Sequence, residues 1–300
     1  MRRIRASRSS RILSAEPRAE MIREFLEHLL TPCPRRWRRM GYLREQIAID
    51  ARLARNRGAW APHLEATRRE IIGAMEAPPQ RRCALILGAG LHHDVPLEAL
   101  ARRYDRVVLA DLVHRPRARR AARRVGGRVV CAEFDASGVA ARMADAGRSM
   151  DAGELAALVG SAHAGIPPEC GGEPDLVVSA NLCSQLFLLP LDWARVDRFG
   201  DEGLGRRLAA AAAGRHLDWL EERPGTVLLV SDFERRRITA DGREILRETV
   251  PGLEGLRAPD RRWTWRIAPI PEHSRTCSLE HEVGAWLAAG GARRRPFRAS

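Results

Sequence analysis

The sequence contains no lysine, and all 51 of its basic residues are arginine. This absence excludes several classes of enzyme in their usual form. A P-loop binds phosphates through a lysine, protein kinases use a strand lysine, and Schiff-base enzymes need an amine. Short-chain dehydrogenases, which use a Tyr–Lys pair, are excluded for the same reason.

Aromatic residues are also few, at 5% of the 300 residues, which argues against stacking platforms for single-stranded nucleic acid. The six cysteines contain no C-x-x-C pair, so a zinc ribbon is not indicated. Several cysteines lie in apolar runs, as buried reduced thiols do, and we expect a reducing, cytoplasmic compartment. No apolar stretch reaches the roughly 18 residues that span a bilayer, and we expect no membrane partner.

The formal net charge is +13, from 51 arginines against 38 acidic residues. A basic protein attracts anions, which keeps nucleic acid among the candidate partners. The exclusive use of arginine in an alanine-rich chain is typical of a high-GC genome, however, so nucleic acid is not favoured.

The chain divides into four segments by composition. Residues 1–19 are rich in arginine and serine and predict a basic disordered tail. In residues 20–80 apolar side chains recur at helical spacing, which predicts a helical N-terminal cap. Residues 81–289 alternate strands and helices, and residues 290–300 predict a second basic disordered tail.

Five short apolar runs, at 83–87, 106–110, 128–132, 175–179 and 226–230, are continuous rather than alternating. Such runs suit strands that are buried on both faces, and helical stretches separate them. They predict an α/β fold with a doubly wound, mostly parallel, Rossmann-like sheet. Runs at 263–268 and 278–287 predict an antiparallel C-terminal edge, and the Gly- and Pro-rich stretch 137–174 predicts a mobile loop.

Polar and glycine residues follow the first three predicted strands. Gly88-Ala89-Gly90 ends the first, and a Gly-x-Gly turn lets the backbone bend beside a ligand. Asp111 ends the second, about 20 residues later, where nucleotide-binding α/β folds hold a ribose hydroxyl. Asp135 follows the third, where adenine is usually recognised. Together they predict an adenosine-containing cofactor.

This arrangement resembles the class I S-adenosylmethionine-dependent methyltransferases over about residues 83–232. The chain departs from the family pattern at Ile86, where the family often has an acid, and at His92, where its third glycine falls. Asp94 is a candidate substitute for the missing acid. The resemblance implies S-adenosylmethionine as the cofactor, bound by Gly88, Ala89, Gly90, Asp111, Leu112, Asp135, Ala136 and Asn181.

Candidate catalytic residues are Asn181, Gln185 and His92. Asn181 and Gln185 are four residues apart at the carboxyl end of the fourth strand, so a helix there places them on one face, toward an acceptor. Asn181 is equally a candidate helix N-cap. His92 either contacts the cofactor or acts as a base, or it is an exposed loop histidine. Adjacent histidines rarely converge on one ion, and no metal is expected.

Two other functions stay open. A nicotinamide-dependent oxidoreductase uses the same kind of sheet, but its fingerprint has a third glycine where His93 stands. A non-catalytic Rossmann-like binding protein, for instance for RNA, is the second alternative. Because a fold does not fix a substrate, the methyl acceptor and the oligomeric state are left open by the sequence.

Overall fold

The computed structural model describes residues 26–146, 149–290 and 296–299, so the predicted tail at 1–19 lies outside the described residues. Eight strands form one central sheet. They are β1 (Cys83–Leu87), β2 (Arg106–Asp111), β3 (Val129–Glu133), β4 (Leu176–Ala180), β5 (Thr226–Thr239), β6 (Glu244–Thr249), β7 (Arg261–Ala268) and β8 (Cys277–Ala288).

The strand order is β3-β2-β1-β4-β5-β8-β7, and β6 pairs with the outer part of β5. The first five strands are parallel, whereas β8 runs antiparallel to both β5 and β7. The five apolar runs form the parallel strands: β1 and β4 are buried throughout, whereas β3, at the edge of the sheet, is only partly buried. The doubly wound α/β fold with an antiparallel C-terminal edge is confirmed.

Strand β5 is longer than its apolar run. It continues past Val230 to Thr239 and pairs there with β6 and β8. No apolar pattern marks this extension of the sheet in the sequence, because its residues are largely charged and β6 is largely exposed. Its arginines are matched across the ladder: Arg236 Nη2 donates to Glu282 Oε1 over 2.6 Å.

Helices cover the sheet. The predicted cap contains α1 (Arg35–Arg39), α2 (Tyr42–Arg55) and α3 (Arg57–Ala74), and Trp60 of α3 contacts Trp265 of β7 edge-to-face at 4.9 Å. The later helices are α4 (Leu97–Arg103), α5 (Pro116–Val125), α6 (Ala140–Ala146), α7 (Ala152–Gly160), α8 (Leu188–Ala194) and α9 (Leu204–Glu221), with 3₁₀ turns at Pro168–Cys170 and Val196–Phe199.

The loop predicted for 137–174 is wrong over much of its length, since α6 and α7 lie there. Helix α7 begins with a capping box in which Asp151 and Glu154 bond each other's backbone N–H groups. This D-x-x-E spacing is a local signal for a helix start, and the glycines and prolines around it obscured it.

The buried apolar residues form three clusters. Two lie on opposite faces of the sheet, and β1 contributes to both, with Ile86 in one and Leu85 in the other. The third contains no strand residue and lies over the carboxyl ends of the strands, where the chain leaves β2, β3 and β4. We call this third cluster the helical roof. Its members include Trp37, Leu43, Ile47, Val113, Val139, Leu155 and Phe187.

The C-terminal tail predicted as disordered from residue 290 is ordered at 296–299. Phe297 is fully buried, at 0% exposure, and Arg298 forms an isolated bridge with Leu256. Phe297, an aromatic residue in a basic segment, is the apolar side chain that anchors residues 296–299. Within the described residues, no helix combines the length and the apolar character needed to cross a membrane.

Candidate functional site

The glycine turn after β1 lies against the ends of two neighbouring strands. Gly88 and Gly90 have φ values of 70° and 48°, in the left-handed region. The N–H of Gly88 donates to the carbonyl of Ala110 over 3.0 Å. A Cβ atom on Gly88 would lie 3.0 Å from Leu182 Cβ and 3.1 Å from the carbonyl of Ala180. Glycine at 88 is therefore required by conformation and by space.

Asp111 meets this turn directly. The N–H of Gly90 donates to Asp111 Oδ2 over 2.9 Å, and the N–H of Val113 donates to Oδ1 over 3.2 Å. Burial raises the pKa of the Asp111 carboxyl, while His114 and these N–H groups oppose that rise. The structure thus brings together the predicted turn and the predicted ribose acid.

Gln46 of α2 covers Asp111 from the side of the helical roof, and it was not among the residues singled out from the sequence. Its Nε2 donates to the carbonyl of Val113 over 2.7 Å and lies 3.4 Å from Asp111 Oδ1. Its Oε1 is buried and has no hydrogen-bond partner within the described part of the chain. The sequence pattern could have indicated that Gln46 is buried, because it lies on the same helix face as the apolar residues Leu43 and Ile47.

Asp135 is at the predicted place, but its oxygens are already bonded. Oδ1 accepts from the N–H and the hydroxyl of Ser137, over 3.0 and 2.5 Å, and Oδ2 accepts from the N–H of Ala141 over 3.0 Å. These bonds fix the start of α6. Nearby, Leu112 packs against the helical roof and Ala136 against a sheet core. Adenine contacts by these residues stay predictions.

Asn181 follows β4 in a left-handed conformation, with φ of 53°. Its Nδ2 donates to Asp94 Oδ2 over 2.8 Å and lies 3.3 Å from His63 Nε2. Oδ1 is buried without a partner among the described residues. Burial raises the pKa of Asp94, and the bond from Asn181 opposes that rise.

The helix predicted from Asn181 is wrong. Residues 181–187 form turns, and α8 begins only at Leu188. The shared helical face predicted for Asn181 and Gln185 therefore does not exist. The left-handed backbone at Asn181 turns the chain away from a helical path as it leaves the sheet.

His63 of α3 is held by two tryptophans from the C-terminal edge. Its ring stacks on Trp265 at 4.0 Å, and Trp263 Nε1 donates to His63 Nδ1 over 3.1 Å. Burial lowers the pKa of His63 to about 3, although Asp232 opposes this effect. The ring is neutral at pH 7, and because Nδ1 accepts, its proton is on Nε2. The 3.3 Å approach of this nitrogen to Asn181 Nδ2, which is also a donor, is a packing contact and not a hydrogen bond.

A second buried acid lies where β5 leaves the parallel sheet. Asp232 accepts from the hydroxyl of Ser184 and, over 3.2 Å, from Arg235 Nε, and its Oδ2 lies 3.1 Å from His281 Nδ1. Burial alone would raise the pKa of Asp232, but His281 and Arg235 lower it to about 2. The sequence missed this acid, although Asp232 follows its apolar run just as Asp111 does.

The adjacent histidines after the glycine turn diverge. His93 Nε2 lies 3.0 Å from Asp50 Oδ1, beside a groove of about 540 Å³ that none of the predicted cofactor residues line. His92 instead turns inward with φ of 63° and is 8% exposed. Burial lowers the pKa of His92 to about 4. The alternative that His92 is an exposed loop histidine is wrong.

Comparisons with known proteins give remote neighbours. No protein-family model matches the chain, and no curated protein is significantly similar to it. An O-methyltransferase family protein from Burkholderia thailandensis is 15% identical, with a TM-score of 0.37, over 93% of this chain and 71% of that one. The 1,6-didemethyltoxoflavin-N1-methyltransferase of the same organism is 16% identical, with a TM-score of 0.33, over 95% and 93% of the two chains.

A glycopeptide N-methyltransferase, solved with S-adenosylmethionine, is 14% identical, with a TM-score of 0.30, over 73% of this chain and 93% of that one. Structural similarity at these TM-scores does not identify the chemistry of this chain. The functional conclusion therefore depends on the geometry of this chain.

Proposed function

We propose that this protein is an S-adenosylmethionine-dependent methyltransferase. In this proposal adenosine binds at the glycine turn, Asp111 and Gln46. The Asp111 carboxylate is an acceptor for vicinal ribose hydroxyls, and it is positioned by the N–H of Gly90. The unpartnered Oε1 of Gln46 offers one further acceptor on the roof side. These two acceptors fit the hydroxyl donors of an adenosine.

The buried carboxyl of Asp94 is the observation that favours S-adenosylmethionine over a dinucleotide. A dinucleotide places its pyrophosphate on a helix that begins at the glycine turn. Here α4 begins only at Leu97, and Asp94 lies between. A pyrophosphate beside Asp94 would add like charge to a carboxyl that burial already disfavours in its ionised form. The ammonium and sulfonium of S-adenosylmethionine would offset that cost.

When bound, the cofactor supplies an electrophilic methyl group, whose transfer requires in-line alignment of the acceptor and exclusion of water. In this proposal the cofactor and the methyl acceptor meet beside Asn181 and Asp94, beyond the end of β4. The free Oδ1 of Asn181 can accept a hydrogen bond from an N–H or O–H of the acceptor. His63, whose ring is neutral at pH 7, packs against the Asn181 amide and takes no proton from the acceptor.

Isothermal titration of the purified chain with S-adenosylmethionine, S-adenosylhomocysteine and NAD tests this function. We expect the first two to bind and NAD not to bind. Asp111→Ala removes a charged acceptor, which corresponds to about 1.5–3 kcal/mol, or a loss of affinity of roughly 10- to 150-fold. Asp105→Ala, at the other end of β2, changes an exposed acid and is the matched control.

Two results would contradict the proposal. Binding of NAD in preference to the methyl donor would support the oxidoreductase alternative. Binding of neither cofactor would leave a non-catalytic binding protein, whose attachment to RNA would weaken steeply as salt is added.

A further inference from the structure

Three unpartnered ring nitrogens lie together beneath the glycine turn. His92 and His114 are 8% and 4% exposed. Within the described residues, both ring nitrogens of His92 lack a hydrogen-bond partner, and so does Nδ1 of His114. A buried polar atom without a hydrogen-bond partner lowers the stability of the fold, so several such atoms in one place indicate a ligand that binds there.

The thiol of Cys131, on β3, completes the group. One ring nitrogen from each histidine and the Cys131 Sγ all lie within 4.8 Å of one another. The three residues come from the loop after β1, the loop after β2 and the strand β3. Their spacing in the sequence therefore does not reveal the cluster, and His93, the neighbour of His92, lies against Asp50 instead.

The orientation of His114 is already that of a metal ligand. Its Nε2 lies 2.8 Å from the carbonyl of Ala132, and because a carbonyl only accepts, Nε2 carries the proton. Nδ1 is thus left with a lone pair and with no hydrogen-bond partner among the described residues. Histidines that bind metals commonly donate their other N–H to a backbone carbonyl or carboxylate, which fixes the tautomer.

We propose that His92, His114 and Cys131 form a binding site for a divalent metal ion of the zinc class. Two imidazoles and one thiolate are the donor set of a tetrahedral zinc site that keeps a fourth position open. Bonds of about 2.0–2.3 Å place such ligands about 3.3–3.8 Å apart, so the side chains close in by at most about 1–1.5 Å.

The charges around the cluster are compatible with a cation. Binding converts the Cys131 thiol to a thiolate, and its proton goes to solvent. The carboxylates of Asp111 and Glu133 act on His114, while Arg119 and Arg123 act on Cys131. A divalent ion with one thiolate and two neutral imidazoles carries one net positive charge, which the Asp111 carboxylate can balance, whereas Glu133 already pairs with Arg36 over 2.9 Å.

Titration of the untagged, chelator-stripped chain with Zn²⁺, and separately with Co²⁺, tests the site without any methyl-transfer assay. We expect one ion per chain, a higher Tm with zinc, and a thiolate-to-cobalt charge-transfer band. Cys131→Ser should weaken zinc binding at least tenfold and abolish the band. Cys33→Ser, at a partly buried thiol outside the cluster, should change neither.

His114→Gln is a second variant, chosen because it can keep a donor toward Ala132 while removing the Nδ1 ligand. It should also weaken binding at least tenfold, with an unchanged far-UV circular dichroism spectrum. Absence of zinc binding by the parent chain, or equal binding by the Cys131→Ser and Cys33→Ser variants, would overturn the proposal. Neither result depends on whether the protein binds S-adenosylmethionine.

Discussion

The indole N–H of Trp263 donates to Nδ1 of His63 over 3.1 Å and thereby fixes which nitrogen of the buried imidazole carries the proton. Trp263→Phe keeps an aromatic ring but removes the donor. We expect the free energy of unfolding to fall by about 1–2 kcal/mol, because the buried Nδ1 loses its partner.

A double-mutant cycle with His63→Phe isolates this bond. In the His63→Phe background, Trp263→Phe should cost clearly less, as measured by urea denaturation. Costs that simply add would show that the indole contributes by packing alone.

The contact between Asn181 and Asp94 predicts an unusual pH dependence. Asn181→Asp places a second buried carboxyl against Asp94, so the pair retains a proton in the folded state. The folded-state pKa is then above the unfolded value near 4, and stability falls as pH rises through neutrality. We expect the variant to lose about 1–3 kcal/mol between pH 5 and pH 8 relative to the parent.

Exchanging the two side chains provides the control. The double variant Asn181→Asp with Asp94→Asn again has one carboxyl and one amide, and its stability should follow the parent's pH profile. If Asn181→Asp itself follows that profile in urea denaturation at several pH values, the two side chains are not in contact.

Gly88 combines a left-handed backbone with close neighbours, and Gly171 separates these two effects. Both have nearly the same φ, 70° and 69°, but a Cβ atom on Gly171 meets nothing within 4 Å. Gly171→Ala should cost about 1–2 kcal/mol from backbone strain. Gly88→Ala should cost about 1–3 kcal/mol more, because its methyl group contacts Leu182 and the carbonyl of Ala180.

Thermal denaturation of these two variants measures the difference. Equal shifts of Tm would mean that the end of β4 yields to the added methyl group, and that glycine at 88 is required only by its conformation.

His216 of α9 predicts a loss of stability in mild acid. It is buried, its Nε2 lies 2.9 Å from Ser179 Oγ, and burial lowers its pKa to about 4. Below pH 6.5 the unfolded chain binds a proton at this histidine that the folded chain does not. Stability is therefore lost as pH falls from 6.5 toward 4, by about 2 kcal/mol at pH 5.

His216→Gln removes this titration while it keeps a donor for Ser179. The difference in unfolding free energy between parent and variant should shrink by that amount from pH 7 to pH 5. Parallel curves would show that His216 is protonated in the folded state.

The parts of the fold that sequence predicted are those with a local signal. Strands β1 to β4 are continuous apolar runs, and Asp111 could be placed from its strand end and its spacing to Gly90. Strand β6 and the outer half of β5 lack such a signal because Arg–Glu pairs across the ladder replace apolar burial.

The rest of the site depends on contacts between distant residues. Gln46 and Asp111 are 65 residues apart, and His63 and Trp263 are 200 apart. No periodicity or spacing relates such pairs. Asp135 shows the converse case, since its position was predicted but its partners, Ser137 and Ala141, serve the local start of α6.

The elements that the three apolar clusters share determine how the molecule unfolds. Because β1 belongs to the clusters on both faces, neither face can be exposed without disrupting the other, and the sheet should unfold as one cooperative unit. The helical roof shares no strand with them. It is nevertheless tied to the sheet through α9, which contributes Leu208 to the roof and Leu217 to one sheet face, so we expect the roof and the sheet to unfold together.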